Sequence, residues 1–200
     1  MDTINVNDIK NEPLELIEGF TAGYPEETEQ LIGLYYKRIY LNCVKLLRNA
    51  DDSEDAVQET FIRAIKYRGG YDKKRTFLFW LLKISTNLCF DILKKNNREL
   101  IKTVKIEALN VEVEGLKDFR DFIVDYKAQR DIEDWPVREL IKNAIDLLPV
   151  AYRATVSLRY YNEMTCEDIA SILEKPVGTI KFRLSRARKY LDGLLKALKN

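Results

Sequence analysis

Histidine is absent from this chain of 200 residues, which holds only three cysteines and five prolines. Imidazole is the usual general base at neutral pH and, with cysteine, a usual zinc ligand, so many acid–base and metal-dependent chemistries lose a principal side chain. The widely separated Cys43, Cys89 and Cys166 predict reduced, partly buried thiols of a cytosolic protein rather than a disulfide framework. We therefore expect no metal, no cofactor and no catalytic activity.

Long apolar runs are also missing. No segment approaches the roughly 20 apolar residues that a membrane-spanning helix requires, and residues 1–5 do not begin a basic and then apolar leader. Hydrophobic residues make up 46% of the chain and charged residues 32%, which is enough apolar material for one ordinary core or two small ones. The expectation is a globular protein that stays in the cytoplasm without membrane insertion.

Apolar residues recur at the helical spacing of three and four nearly everywhere, and no part of the pattern requires a strand. In the amino-terminal half this predicts helices over residues 13–21 and 25–48. A third helix follows a breaker and N-cap at residues 51–53 and stops at Gly69-Gly70. Its predicted buried stripe is Ala56, Val57, Thr60, Phe61, Ala64 and Ile65.

Thr76 caps a fourth predicted helix, which continues to about residue 97 and has a basic outer face. Its predicted inward stripe is Phe77, Trp80, Leu81, Ile84, Leu88 and Ile92. Residues 99–134 then break the pattern and are richer in aspartate and glutamate than in lysine and arginine. We interpret this acidic stretch as a flexible linker.

Helical order restarts at Trp135-Pro136, with predicted helices over residues 136–147, 149–161, 165–173 and 176–198. Thr165 and Asp168 form a capping-box-like start for the third of these. The sequence thus predicts an all-α protein of two small helical domains, residues 1–98 and 135–200, joined by the linker at residues 99–134.

The last two predicted helices are joined by a three-residue turn, residues 174–176, as a helix-turn-helix requires. The inward residues of the final helix follow spacings of four, three and four: Ile180, Leu184, Ala187 and Leu191. The residues predicted on or beside its outer surface are mostly basic: Lys181, Phe182, Arg183, Ser185, Arg186, Arg188 and Lys189. Such cations bind phosphates, and those near the helix start reach base edges in the major groove. A solvated basic helix is the alternative interpretation of the same charges.

A second basic region spans residues 63–98, where lysines and arginines outnumber acids and aromatic side chains are interleaved. Such mixtures suit single-stranded nucleic acid, because bases stack on aromatic rings while phosphates contact cations. Phe77 and Trp80 also fit the core stripe of their helix, and burial is the favoured interpretation for both. Tyr67 and Tyr71, beside the two glycines, are freer to stack on bases.

Three blocks of these residues resemble one protein family. Residues 51–64 (DDSEDAVQETFIRA) closely resemble sigma region 2.2, and residues 80–87 (WLLKISTN) resemble the tryptophan-led helix of regions 2.3 and 2.4. Residues 148–160, 167–170, 176–181 and 184–188 are similar to sigma region 4. In this order, around a variable linker, they resemble the extracytoplasmic-function (ECF) class of RNA polymerase sigma factors. The resemblance implies a non-catalytic subunit that binds core RNA polymerase and directs it to the −35 duplex and the melted −10 element of promoters.

The resemblance also implies roles for individual residues. Those that bind the clamp helices of the polymerase β′ subunit are Asp55, Gln58, Glu59 and Arg63. The −10 strand is held by a loop that captures an extruded base and by the basic face of the next helix, through Tyr67, Tyr71, Lys74, Arg75, Lys83, Asn87 and Lys94. The −35 element is read by Thr179, Lys181, Phe182, Arg183, Ser185, Arg186 and Arg188. Within this last set, Arg183 and Arg188 are assigned to phosphates or to neighbouring helices.

Further implied partners are the polymerase β subunit and an anti-sigma factor, which commonly holds this class inactive. Three residues depart from the family pattern. Glu163 and Glu174 stand where glycine is usual, although Asn162 can take a left-handed conformation. Phe182 stands where serine is common, and its ring can meet a thymine methyl group but cannot replace the hydrogen bonds of a hydroxyl.

Two other functions are compatible with parts of the sequence. A stand-alone helix-turn-helix regulator would bind duplex DNA without polymerase, but it leaves the resemblance of residues 51–64 unexplained. A nucleic-acid-processing enzyme would need metal ligands or a general base, and the chain offers neither histidine nor a clustered acidic motif. The sigma factor is therefore the favoured prediction.

Overall fold

The computed structural model describes residues 12–95 and 142–197, and the predicted linker at residues 99–134 lies outside them. The described residues form helices and no strands, so the all-α prediction is confirmed. In the amino-terminal half the helices are α1 (Leu14–Ala22), α2 (Pro25–Leu47), α3 (Ala50–Lys66) and α4 (Phe77–Lys95), with a short 3₁₀ turn (Arg68–Gly70) after α3.

The carboxyl-terminal half begins, within the described residues, with a helical stretch at 142–146. Helix α5 (Val150–Val156) follows and continues as a π-helical turn (Ser157–Tyr161). The last two helices are α6 (Cys166–Leu173) and α7 (Val177–Ala197). Each predicted helix is confirmed to within a few residues, except that the start of the one predicted at 136–147 lies outside the described residues.

The start of α3 differs from the prediction. The residue that caps it is Asn49, whose side-chain oxygen accepts a hydrogen bond from the Asp52 amide at 3.0 Å, and residues 51–53 already belong to the first turn. Arg48 ends α2 in a left-handed conformation with φ 57°, which brings Asn49 to the free amides of α3. Asp51 and Asp52 then lie where the helix dipole favours negative charge.

The turn between α1 and α2 depends on a glycine. Gly23 has φ 92°, and a Cβ atom at this position would lie 2.6 Å from the guanidinium of Arg68. The arginine belongs to the 3₁₀ turn between α3 and α4, so this close approach brings that turn against the end of α1. Glycine is favoured here because it adopts the left-handed backbone without strain and leaves the space that the Arg68 side chain occupies.

Helix α2 is the centre of the amino-terminal half and packs against α1, α3 and α4. Its fully buried side chains include Leu31, Ile39, Cys43 and Leu46. The buried face of α4 is broader than the predicted stripe, because α6 covers α4 in addition to α2 and α3. Residues outside that stripe are fully buried, namely Leu78, Leu82 and Cys89, whereas the predicted stripe members Trp80, Ile84 and Ile92 are only partly buried.

The two halves of the chain pack directly on each other. Helix α5 contacts α2, and α6 contacts α4. Apolar residues of the carboxyl-terminal half, including Val150, Ala154 and Ile169, join the same core cluster as those of α2 and α4. A second, smaller cluster lies within the carboxyl-terminal half, between the 142–146 stretch, α5 and α7.

Polar contacts cross this interface as well, and we call the set the interdomain seam. Arg153 is a fully buried charged member, with 1% of its surface exposed, and its guanidinium donates to the Leu46 carbonyl at 2.8 Å and to the Leu148 carbonyl at 2.7 Å. The remaining seam contacts are Ser157 to Asn42 at 3.1 Å, Arg38 to Asn162 at 3.3 Å, Arg75 to Asp168 at 2.6 Å and the Lys45 ammonium over the Tyr161 ring at 3.8 Å.

Candidate nucleic-acid and polymerase interfaces

The helix-turn-helix begins with the capping box that the sequence predicted. The Thr165 hydroxyl accepts from the Asp168 amide at 3.1 Å, and the Asp168 carboxylate accepts from the Thr165 amide at 3.2 Å. Helix α6 ends at Glu174, which adopts a left-handed conformation with φ 52° and ψ 47°. The glutamate therefore takes the conformation that glycine usually provides, at a cost of about 1–2 kcal/mol. The tight turn into α7 is retained.

The turn before α6 differs from the prediction. Glu163, with φ 55°, is the left-handed residue, whereas Asn162 has φ −111°. The Asn162 side chain is buried and is used elsewhere: it donates to the Ser157 carbonyl at 3.2 Å and accepts from Arg38. Asn162 thus closes the π-helical turn and joins the interdomain seam, which leaves the next residue to reverse the chain.

Helix α7 lies against both α5 and α6. The four residues predicted to face inward, Ile180, Leu184, Ala187 and Leu191, are all buried, as expected. Of the predicted −35 residues, Lys181 is exposed, and those that are partly exposed are Thr179, Phe182, Arg186 and Arg188. The Arg186 guanidinium lies 5.6 Å from the centre of the Phe182 ring, so these two side chains form one surface.

Two predicted −35 residues are not on that surface. Arg183 and Ser185 are each only 6% exposed. Because two helices pack on α7, its covered arc is wider than the single apolar stripe that the spacing predicted. Little of the Arg183 surface is therefore open to solvent on α7.

The loop over residues 67–76 presents one free tyrosine and one packed tyrosine. Tyr67 is 57% exposed, with the Lys66 ammonium 5.3 Å from its ring centre. The ring of Tyr71 packs against Phe77 and Trp80, each at 5.4 Å between centres, and its hydroxyl donates to the Arg75 carbonyl at 2.8 Å. Burial is the main reason that the pKa of Tyr71 is raised to about 12. Tyr71 thus forms a wall of the loop, and Tyr67 is available for stacking.

The other predicted −10 residues lie partly in this loop and partly on α4. Lys74 is exposed, and its backbone amide donates to the Asp72 carboxylate at 2.9 Å. Arg75 contacts Asp168 of α6 and lies 5.0 Å from the ring of Phe79. On α4 the predicted −10 residues share one helix face at spacings of four and seven, and all three have solvent access: Lys83, Asn87 and Lys94.

The outer face of α3 carries the residues predicted to bind polymerase. Asp55 and Gln58 are exposed, and Glu59 accepts from Arg63 at 2.6 Å. Sequence reasoning missed Ile62, which is 58% exposed in the middle of this polar face. The signal for it was an isoleucine that falls outside the apolar stripe of its helix. Ile65, which was placed in that stripe, is 36% exposed instead, because it lies at the stripe's edge.

No helix within residues 12–95 and 142–197 has the length and apolar character needed to cross a membrane. The same residues contain no group of three or more histidine, cysteine, aspartate or glutamate side chains arranged to hold a metal ion.

Taken together, the helix-turn-helix with an accessible basic helix and the cation- and aromatic-lined loop define an all-α nucleic-acid-binding protein. Comparison with known families specifies the class. The Sigma-70 region 2 family matches residues 31–99, and the Sigma-70, region 4 family matches residues 138–191. These matches include every residue that the sequence assigned to polymerase or DNA.

Curated relatives extend over almost the whole chain. ECF RNA polymerase sigma factor SigW of Bacillus subtilis is 31% identical over 183 residues, which are 91% of this chain and 96% of that protein. RNA polymerase sigma-H factor of Pseudomonas aeruginosa is 26% identical over 192 residues, 92% of this chain and 94% of that protein. The chain belongs to the ECF RNA polymerase sigma factors.

Solved structures agree with this assignment. The sigma factor RpoE from Bartonella quintana, in complex with the anti-sigma factor NepR, matches with a TM-score of 0.59 and 25% identity over 84% of this chain and 96% of that chain. CnrH, in complex with the cytosolic domain of CnrY, shares the fold with a TM-score of 0.60 at 19% identity over 92% of this chain and 96% of that one. As a sigma factor, the protein binds core RNA polymerase and directs promoter-specific transcription initiation, recognising −35 duplex and melted −10 DNA.

Proposed function

We propose that this sigma factor uses three separate surfaces to bind the polymerase clamp, the melted −10 strand and the −35 duplex. The outer face of α3 binds the β′ clamp helices, the loop over residues 67–76 with α4 captures the melted −10 strand, and α7 reads the −35 duplex. The single observation that carries this division is the placement of charge: the acidic residues of α3 and the basic residues of α7 and α4 are accessible on different helices. Clamp, duplex and single strand can therefore be bound by different parts of the chain.

The proposed domains are residues 1–98 and 135–200, with residues 99–134 as the linker that threads towards the RNA exit path. Residues 1–98 contain the region 2 match except for its last residue, 99. Residues 135–200 contain the whole region 4 match. Action on core RNA polymerase supports a cytoplasmic location and a role in recognition rather than catalysis, with nucleotide addition left to the polymerase. The RpoE–NepR complex supports an anti-sigma factor as a further partner of this chain.

The test of the proposed function uses purified protein, bacterial core polymerase and a library of genomic promoter fragments. Sequencing of run-off transcripts should show starts downstream of one shared two-part motif. Comigration of the chain with core polymerase provides the control for assembly. Duplex binding without polymerase, together with failure to comigrate, would instead favour the stand-alone regulator.

Ile62→Glu is expected to lower affinity for core polymerase at least about tenfold, because full burial of an isoleucine side chain is worth about 1.5–3 kcal/mol and a buried glutamate adds a desolvation cost. Fluorescence anisotropy with labelled core measures the change. Leu34→Glu, at a leucine 44% exposed on α2, is the matched control and should bind core as the wild type does. Equal affinity of Ile62→Glu and wild type would remove α3 from the interface.

Tyr67→Ala is expected to weaken binding of the −10 single strand by about five- to 150-fold, since stacking of one base on an aromatic ring is worth about 1–3 kcal/mol. The measurement is affinity of the polymerase–sigma complex for a labelled non-template oligonucleotide. Tyr24 is 59% exposed and Tyr67 57%, so Tyr24→Ala is a control of matched chemistry and exposure. If both variants bind the oligonucleotide alike, Tyr67 does not stack on a base.

A further inference from the structure

Glu12 lies before α1, outside both matched family regions, and contacts the start of α4. Its carboxylate accepts a hydrogen bond from the Phe77 amide at 2.6 Å, across 65 residues of sequence. Phe77 is the first residue of α4, where backbone amides have no partner within the helix. Thr76 caps the same end through the Phe79 amide at 3.1 Å. Helix α4 is thus capped twice, once locally and once by a distant residue.

The capped amino terminus of α4 also packs against the loop over residues 67–76. The Phe77 ring lies 5.4 Å from that of Tyr71 and 5.4 Å from that of Tyr35, between ring centres. Tyr71 in turn closes the loop through its hydroxyl bond to the Arg75 carbonyl. A shift of Phe77 would therefore move the Tyr71 ring that packs on it. The loop that carries Tyr67 would move with Tyr71.

The carboxylate is held at this position although its burial is unfavourable. Burial raises the pKa of Glu12, while hydrogen bonds from the Phe77 and Leu78 amides and from Tyr35 act in the opposite direction. The positive end of the α4 dipole also favours a negative group here. Burial outweighs these contacts, so the ionised group contributes less to stability than an exposed cap would.

We infer that Glu12 is a positioning residue for −10 recognition: by capping α4 at Phe77 it holds Tyr71 and the loop over residues 67–76 in the conformation that captures the melted strand. The inference rests on the proposed assignment of that loop to the −10 element. It adds a residue from the segment before α1 to a site that otherwise lies within the loop over residues 67–76 and α4.

The test compares Glu12→Ala and Glu12→Gln with Glu15→Ala, an exposed glutamate three residues away. Complexes with core polymerase are titrated with a labelled −10 non-template oligonucleotide from the promoter found by run-off sequencing. Glu12→Ala should weaken oligonucleotide binding by up to about fivefold, the factor by which losing one helix cap typically lowers helix stability, because part of the population then leaves the binding conformation of the loop. Glu12→Gln should bind within about twofold of wild type, since its amide oxygen still accepts from Phe77. Affinity for core polymerase should be the same for all four proteins.

Hydrogen exchange of the free protein separates this inference from the proposed function. Glu12→Ala should exchange faster than wild type at the Phe77 amide and across the loop, and Glu15→Ala should not. Unchanged exchange and unchanged oligonucleotide affinity in Glu12→Ala would overturn the inference, as would a parallel loss of affinity for core, which indicates general unfolding. If Tyr67→Ala and Lys74→Ala both bind the oligonucleotide as wild type does, the −10 assignment of the loop fails instead, whatever the exchange data show.

Discussion

Lys181→Glu and Arg186→Glu are each expected to abolish promoter-specific transcription while binding to core polymerase is unchanged. Lys181 is exposed in the second turn of α7, and Arg186 lies beside Phe182 on the same helix. Loss of one arginine or lysine contact to a base edge costs about 1–3 kcal/mol, and a glutamate in its place also repels the phosphates. The measurement is run-off transcription from the identified promoter, with affinity for the −35 duplex determined in parallel.

The matched control for this charge reversal is Lys37→Glu, at an exposed lysine of α2 far from α7 in sequence. It should transcribe at the wild-type level. Affinity of the −35 duplex for wild-type protein should also fall steeply with salt, because bound cations release counterions from DNA, and the slope should be shallower in both α7 variants. Loss of core binding in Lys181→Glu or Arg186→Glu would mean that α7 belongs to the polymerase interface.

Arg153→Met is expected to lower the free energy of unfolding by about 2 kcal/mol, out of a total that is typically about 5–15 kcal/mol. The Leu46 and Leu148 carbonyls would each lose a donor in a buried environment. Leu46 lies in the last turn of α2, whose negative dipole end the guanidinium also stabilises. Methionine keeps most of the side-chain volume, so the loss reports on hydrogen bonds rather than on a cavity. Relief of the guanidinium's own desolvation offsets part of the effect.

Urea denaturation followed by circular dichroism measures this change in unfolding free energy. It also shows whether the two halves of the chain unfold in one transition or in two. Because the Arg153–Leu46 bond joins the two halves, Arg153→Met should broaden or split the unfolding transition. Arg159→Met is the control: Arg159 donates to the Met164 carbonyl at 3.0 Å, within the carboxyl-terminal half. It should leave a single transition. If the unfolding free energy of Arg153→Met is within about 0.5 kcal/mol of wild type, the Leu46 and Leu148 carbonyls find other hydrogen-bond donors when this arginine is absent.

Local patterns in the sequence predicted most of the helices and the residues of α7 that face inward. The four inward residues of α7, from Ile180 to Leu191, follow from the helical period alone. The capping box of Thr165 and Asp168 spans three residues and could likewise be recognised without a structure. The family blocks at residues 51–64 and 80–87 identified the sigma factor class, which the family and relative comparisons confirmed.

Tertiary packing decided what local patterns could not. Arg183 and Ser185 are buried because two helices cover α7, and Leu78 and Cys89 are buried because α6 covers a further side of α4. A helical period places residues on a face, but it does not show how many neighbours cover that helix. For this reason the predicted buried stripe of α7 was too narrow, and the predicted stripe of α4 missed the side of the helix that α6 covers.

The other differences have the same origin in contacts between distant residues. Asn162 keeps a right-handed backbone, and its side chain accepts a hydrogen bond from Arg38 of α2. The amino terminus of α4 is capped by Glu12 as well as by Thr76. Helix positions, the caps at Thr76 and Thr165 and the sigma factor class were determined by the sequence alone, since they depend on residues a few positions apart. The interdomain seam, the second cap of α4 and the exposure of individual arginines were decided only by the tertiary structure, which brings together residues far apart in the chain.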